Sequence, residues 1–264
     1  MVSPRGLSDH LLAHGRPVVT LAEVADLLGV SSKHAASALV RLKRDNQVFS
    51  PARGLYVAVP PQYRTWGAVP AMDFIDPMMR ALGAAYYVGL LSAAELHGAA
   101  HQRPQVFQVM TDRTVADRDF GRVATRFYRS ARVAAMPVEW RNTGTGQARV
   151  STPVVTAFDL AARPGDGGGL SNVATVVAEL AQDGRLDPAV LLDVSVSFPS
   201  AVVRRLGWLL DFTESGVDTG QLAEAALARS SATVMDVLQP GAPRRGRHNP
   251  RWRMIENTEV EPDL

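Results

Sequence analysis

Between residues 20 and 45 the chain has room for two helices and only a short turn between them. Thr20 precedes LAEVADLLG and Glu23 follows three residues later, the spacing of a capping box, in which a side chain and the backbone satisfy each other's free donors at a helix start. Leu21, Val24 and Leu28 recur on one side of this helix, and Gly29 is placed to end it. GVSS then leads into a further helix expected from Ser32 to Asp45. An earlier pattern, LSDHLLAHG, puts Leu7, Leu11 and Leu12 on one face with Gly15 as its stop. After the last helix, QVFSPARGLYVAV (47–59) reads as two β-prone runs around a Pro-Ala-Arg-Gly turn, with Arg53 at the tip and Leu55, Val57 and Val59 alternating toward a core. Three helices followed by a hairpin is the element order of a winged helix-turn-helix.

The helix from Ser32 divides into two faces. Ala35, Leu39 and Leu42 recur at spacings of four and three and are expected to pack inward. Lys33, Ser37, Arg41 and Arg44 recur on the opposite side, a cationic and hydroxylic stripe suited to a major groove. Taken alone, such a stripe is more often a solvated face; the capped helix before it and the hairpin after it favour DNA. Charge agrees. Residues 1–66 hold Arg5, Arg16, Lys33, Arg41, Lys43, Arg44, Arg53 and Arg64 against Asp9, Glu23, Asp26 and Asp45, an excess of four positive charges, while the whole chain is only +2. A second basic cluster, Arg244, Arg245, Arg247, Arg251 and Arg253, lies near the C-terminus.

The remainder reads as a second, larger domain. PPQYRTWGAVP (60–70), with three prolines and no periodicity, reads as a linker, which the domain division places at 61–71. Helices are expected at Asp73–Leu82, Tyr86–Gly98 and Thr152–Ala162, then near 171–183, 187–196, 199–214 and 219–229. Val106–Thr111, Val123–Arg129 and Met136–Arg141 have β character, and a last strand pair is expected at Thr233–Leu238 and Arg251–Glu256. The fold class expected is α+β: a winged helix-turn-helix over 1–60, a linker at 61–71, and a mixed α/β domain with a helical C-terminal half over 72–264.

Composition removes several chemistries. There is no cysteine, so disulfides, thiolate metal sites and cysteine nucleophiles are excluded. Lys33 and Lys43 are the only lysines, so residues 47–264 cannot supply a Schiff base, a P-loop lysine or the Glu-x-Lys of a metal-dependent nuclease. Glu139 is followed at that position by Arg141, a poor acid/base group. His97 and His101 are four apart, but the zincin pattern needs a Glu beside the first His, and the neighbour is Gly98, which reads as a helix end. The loop Gly165–Gly169 lacks a following Gly-Lys-Ser/Thr, and no Gly-x-Ser-x-Gly elbow occurs. No enzyme, metal or cofactor is expected. The N-terminus lacks the apolar core of a secretion signal, and no run reaches the roughly 18–20 apolar residues of a membrane span, so the protein is expected in the cytoplasm, away from membranes.

Two stretches carry a family resemblance. YYVGLLSAAELHGAAHQRPQVFQVMTDR (86–113) resembles the core of AbiEi-type antitoxins, and VSTPVVTAFDLAARP (150–164) is similar to that family's threonine-proline and Thr-x-x-Asp-Leu signature. The tail NPRWRMIENTEVEPDL also looks familial, and the Ala- and Arg-rich composition suits an actinobacterial, for example mycobacterial, member. The resemblance implies an antitoxin of a type IV system that counteracts a nucleotidyltransferase-fold toxin, without a stable complex being assumed. It also implies repression of its own operon by binding double-stranded DNA at upstream inverted repeats. DNA contact then maps to Ser31, Ser32, Lys33, Ser37, Arg41, Arg44 and Arg53. Arg103, Arg244, Arg245 and Arg247 are candidates for a second-domain contact, with a solvated tail the competing reading. A monomer or weak dimer acting cooperatively on paired half-sites would supply the affinity one winged helix lacks. Two other readings stay open: an effector-responsive winged-helix regulator unrelated to a toxin, and a protein-interaction module that has lost DNA binding.

Overall fold

The computed structural model describes residues 2–99, 104–229 and 235–263. His101, Arg103 and the first two residues of the expected strand at Thr233 lie outside them. The chain forms two compact units. The first comprises Met1–Val88, Gln105–Ala134 and Glu139–Val150, and the second Gly89–Pro104, Ala135–Val138 and Ser151–Leu264. These fall differently from segments 1–60, 61–71 and 72–264, because the first unit also takes in strands from three separate stretches of the chain.

The first unit begins with α1 (Leu7–Ala13), β1 (Val18–Thr20), α2 (Leu21–Leu28), α3 (Ser32–Arg44), β2 (Val48–Ala52) and β3 (Leu55–Ala58). The capping box is present at both bonds: Thr20 Oγ1 accepts from Glu23 N at 3.3 Å, and Thr20 N donates to Glu23 Oε2 at 2.7 Å. Gly29 closes α2 in the left-handed conformation, φ 66. Leu7, Leu11, Val24, Leu28, Ala35, Leu39 and Leu42 form one buried cluster with Val48 and Ala58, and Leu12, Leu21 and Tyr56 pack against it half-buried. Strand β1, three residues that the sequence reading passed over, pairs antiparallel with β3 to give the sheet order β1-β3-β2.

The hairpin β2–β3 is buried on both sides. Val48 and Ala58 face the helical cluster, while Phe49, Ala52, Leu55, Val57 and Val59 enter a second cluster with Ala68, Val69, Ala71, Phe74 and Met78. Phe49 meets Phe74 edge-on at 5.1 Å and Phe120 at 5.4 Å. The segment read as a linker therefore packs: Ala68, Val69 and Ala71 are buried, and Trp66 O accepts from Arg122 N at 2.9 Å.

Beyond it come α4 (Ile75–Ala81), β4 (Tyr86–Val88), β5 (Val106–Thr111), β6 (Arg118–Phe120), β7 (Val123–Arg129), β8 (Val138–Thr143) and β9 (Gly146–Ser151), with sheet order β6-β7-β5-β4-β9-β8. The sheet is mixed: β5 runs parallel to β7 and antiparallel to β4, and Val88 pairs with Val150 in the parallel β4–β9 contact. One helix over Tyr86–Gly98 was expected, and the structure corrects it. Tyr86, Tyr87 and Val88 are all buried in a central strand, Gly89 is extended (φ −133, ψ −172), and the helix begins only at Leu90. A strand covered on both faces has no alternation to show, so its apolar run matches a buried helix equally well.

The second unit is mainly helical, as expected of the C-terminal half. Its helices are α5 (Leu90–Leu96), α6 (Pro153–Ala162), α7 (Leu170–Ala181), α8 (Pro188–Ser195), α9 (Ser200–Phe212) and α10 (Gly220–Ala228). Thr152 caps α6 ahead of Pro153 by accepting from Val155 N at 3.4 Å, and Asp187 caps α8 ahead of Pro188. Gly98, at φ 73, follows the end of α5. His97 is hydrogen-bonded through Nε2 to the Ser151 carbonyl at 2.7 Å. Helix α9 is buried from Val202 to Leu210, including Arg204 and Arg205. Three short strands, β10 (Asp236–Val237), β11 (Arg247–Asn249) and β12 (Met254–Glu256), close the unit in the order β10-β12-β11. No helix among the described residues is long and apolar enough to cross a membrane.

Candidate nucleic-acid interface

Helix α3 carries the candidate residues, and its buried side fixes where they point. Ala35, Ala38, Leu39 and Leu42 are buried, so the positions about half a turn away must face outward. Lys33, Ser37, Arg41 and Arg44 are all exposed along that outer side. Ser31 is the N-cap: Oγ accepts from His34 N at 3.4 Å and is hydrogen-bonded with His34 Nδ1 at 2.9 Å. Its hydroxyl is therefore engaged in starting the helix, while the exposed Ser32 is the first helical residue. Ser37 Oγ donates to the Lys33 carbonyl at 3.1 Å, which leaves its lone pairs turned outward as acceptors. Arg44 Nε approaches Asp45 Oδ1 at 3.4 Å with both side chains more than half exposed, a contact worth little in solvent.

The stripe has a member that counting cations and hydroxyls missed. Val40 is 67% exposed, and it lies seven residues from Lys33 and three from Ser37 on the same side of the helix. The helical spacing alone would have found it. An exposed methyl-bearing side chain among cations is suited to a thymine methyl in the major groove.

Arg53 and Gly54 form the two-residue tip between β2 and β3, where Gly54 takes φ 78 and both are exposed. Leu21 N donates to Gly54 O at 3.2 Å, so the tip is tied to the first turn of α2. Nearby, Arg16 Nη2 donates to Glu23 Oε1 at 3.0 Å. The Glu23 carboxyl is held below its ordinary value, first by the Thr20 backbone and side-chain hydrogen bonds and then by Arg16, with burial opposing them.

In the second unit the C-terminal arginines differ among themselves. Arg244 donates to the Met235 carbonyl, Arg247 Nε donates to Glu256 Oε2 at 2.9 Å, and Arg251 Nε pairs with Asp211 Oδ2 at 2.9 Å. Sequence proximity suggested a cluster without acids; folding brings Glu256 and Asp211 to it. Burial raises the Glu256 carboxyl, but hydrogen bonds from Trp208, Asn249 and Arg247 outweigh it and leave the group below its ordinary value. Arg244, Arg245 and Arg247 are all exposed. Among the described residues no group of three His, Cys, Asp or Glu side chains is placed to hold a metal ion.

A crystal structure of the RV2827C protein from Mycobacterium tuberculosis is similar in fold, with a TM-score of 0.66 at 16% identity, over 95% of this chain and 89% of that one. No curated protein matches the chain. The model of the AbiEi antitoxin C-terminal domain matches residues 87–212, so that stretch is similar to the antitoxin domain of this family.

Proposed function

We propose that this protein is the antitoxin of a type IV toxin–antitoxin system, which counteracts a nucleotidyltransferase-fold toxin and represses its own operon at upstream inverted repeats. The antitoxin half of this reading rests on the family match over residues 87–212. The single observation that supports the DNA-binding half is the outer side of α3, with Lys33, Ser37, Val40, Arg41 and Arg44 exposed above a fully packed inner side.

Residues 1–60 serve as the winged helix-turn-helix and 72–264 as the antitoxin domain, with 61–71 joining them. Lys33, Ser37 and Arg41 read base edges, since they share the exposed side of the helix that would face the major groove. Ser31 and Ser32 sit where helix N–H groups and the dipole favour a phosphate. Arg44 and Arg53 hold the DNA backbone, and these contacts position without specifying sequence. Arg244, Arg245 and Arg247, with Arg103, extend the contact from the second domain. The protein acts in the cytoplasm without cofactor or catalysis, as a monomer or weak dimer binding paired half-sites cooperatively.

The alternative is an effector-responsive regulator. Small-molecule sites usually enclose about 300–1,000 Å³. Of the first unit's concavities, one of about 510 Å³ is lined by Arg5, Arg41 and Arg44, and the more apolar one, lined by Leu12, Pro17, Val57, Tyr63 and Val69, holds about 210 Å³. Co-expression with the toxin encoded beside it tests the proposal. Growth should be restored, and a reporter driven by the gene's own upstream DNA should be silenced. Repression without rescue would favour the regulator instead.

A further inference from the structure

Beside the outer stripe of α3, the first unit has a cleft in which Arg5, a residue given no DNA contact so far, joins Arg41 and Arg44. It holds about 510 Å³ and is lined by Arg5, Arg41 and Arg44, with Ser3, Asp45 and Gln47 at its edge and Ala38 and Leu42 among its walls. We infer that this cleft binds a phosphodiester group of the DNA backbone, with Arg5 as a contact supplied from outside the recognition helix. The inference rests on the proposal that α3 enters DNA.

Charge decides the ligand class. Three guanidinium groups face one carboxylate, Asp45, and the C-terminal end of α3 adds only about half a negative charge. The cleft is therefore cationic, and its apolar walls, Ala38 and Leu42, are buried at 3% and 5% exposure, which strengthens the field above them. Guanidinium forks match phosphate oxygens two at a time. No aromatic side chain lines the cleft to stack a base, so a phosphate group fits it better than a nucleotide.

Arg5 is also held in place. Its 3-10 turn, Pro4–Gly6, is capped by Ser3 Oγ accepting from Gly6 N at 3.2 Å. Val2 N donates to Leu27 O at 3.3 Å, and the next residue, Leu7, is fully buried. The side chain thus starts from a fixed backbone beside the C-terminal half of α3. Arg44, assigned to the DNA backbone, lines the same cleft as Arg5, so a strand of phosphates that meets one passes the other.

The test measures affinity against salt for the full chain and for Arg5→Ala and Arg5→Lys, on the gene's own upstream duplex and on a scrambled one. Calorimetry with inorganic phosphate and with pyrophosphate accompanies it. Arg5→Ala should weaken binding to both duplexes equally, by about five- to tenfold near 0.1 M salt, and reduce the log–log salt slope by about 0.9. Arg5→Lys should retain the slope. An unchanged slope for Arg5→Ala on scrambled DNA would overturn the inference. Micromolar binding of phosphate or pyrophosphate that Arg5→Ala abolishes, with the salt slope intact, would also overturn it and assign the cleft to a small anion. Loss of preference for the upstream duplex in the unmodified chain would count against the repressor reading alone, since the Arg5 comparison is made on both duplexes.

Discussion

The indole of Trp252 lies directly against the backbone of Gly207: a Cβ added at 207 would overlap Cη2, Cζ3 and Cζ2 of the ring. Trp252 is 1% exposed, and its Nε1 donates to Asp211 Oδ2 at 2.7 Å, one turn further along α9. One glycine on a buried helix thus makes the seat that holds the C-terminal strands. Gly207→Ala would gain about 1 kcal/mol of helix propensity but must displace a rigid ring, and overpacking of this kind costs about 1–3 kcal/mol. A net loss of stability is expected in urea unfolding, and an unchanged or raised midpoint would contradict the packing described.

Arg205, on the same helix, donates to three carbonyls: Leu238 O at 2.6 Å through Nε, Ala161 O at 2.8 Å through Nη1 and Val237 O at 3.1 Å through Nη2. Burial pulls its guanidinium down to about 10, still charged at neutral pH. The group joins α9 to the end of α6 and to β10. Arg205→Met should cost about 3–5 kcal/mol, since it leaves buried acceptors without donors. Arg205→Lys should recover only part, because one ammonium cannot reach three directions of a planar fork. Protease cleavage within the C-terminal strands of Arg205→Met, at a rate equal to wild type, would count against this role.

Much of this was legible in the sequence, and the exceptions share a physical cause. The helices α1, α2 and α3 were readable because Thr20, Glu23 and Gly29 punctuate a regular apolar spacing. The starts of α6 and α8 are marked by Thr152-Pro153 and Asp187-Pro188. The strand at Tyr86–Val88 was not readable, since a strand buried on both faces has no period. Nor were β1, β6 and β11, which are only three residues long and too short to show a period, and β1 also depends on β3, distant in the chain. In the interface, the exposed cations followed from helical spacing. Val40 does not stand out when the stripe is read from its cations and hydroxyls alone. Arg5 gains its meaning only when the N-terminal turn is folded beside α3, and Arg204 and Arg205 gain theirs from acceptors at residues 161, 237, 238 and 253, distant in the chain.

The capping box makes a pH-dependent contribution. The folded-state pKa of Glu23 is depressed, chiefly by the Thr20 bonds, so its stabilisation is present above the ordinary carboxylate range and is lost as pH falls through the folded value. Glu23→Gln should therefore be less stable than wild type at pH 7, with the gap narrowing below about pH 4.5. Thr20→Ala should cost about 1 kcal/mol. Thermal unfolding from pH 3 to 7 checks both, and a gap that widens in acid would reverse the sign argued here.

Val40 gives a prediction in which specificity and charge separate. Val40→Ser keeps the charge of α3 and removes its exposed apolar contact. The salt slope should stay the same, while preference for the upstream duplex over scrambled DNA falls about fivefold, or about 1 kcal/mol. Equal weakening on both duplexes would exclude Val40 from base readout.

The central claim is that α3 reads DNA upstream of the protein's own gene. The most direct test is equilibrium binding of the full chain to that duplex and to a scrambled one across a salt series, repeated with Lys33→Ala and Arg41→Ala combined. The account predicts tighter binding to the upstream duplex, a steep loss of affinity with salt, and collapse of the preference in the double variant. Equal binding to both duplexes at every salt concentration, or a double variant indistinguishable from wild type, would contradict it.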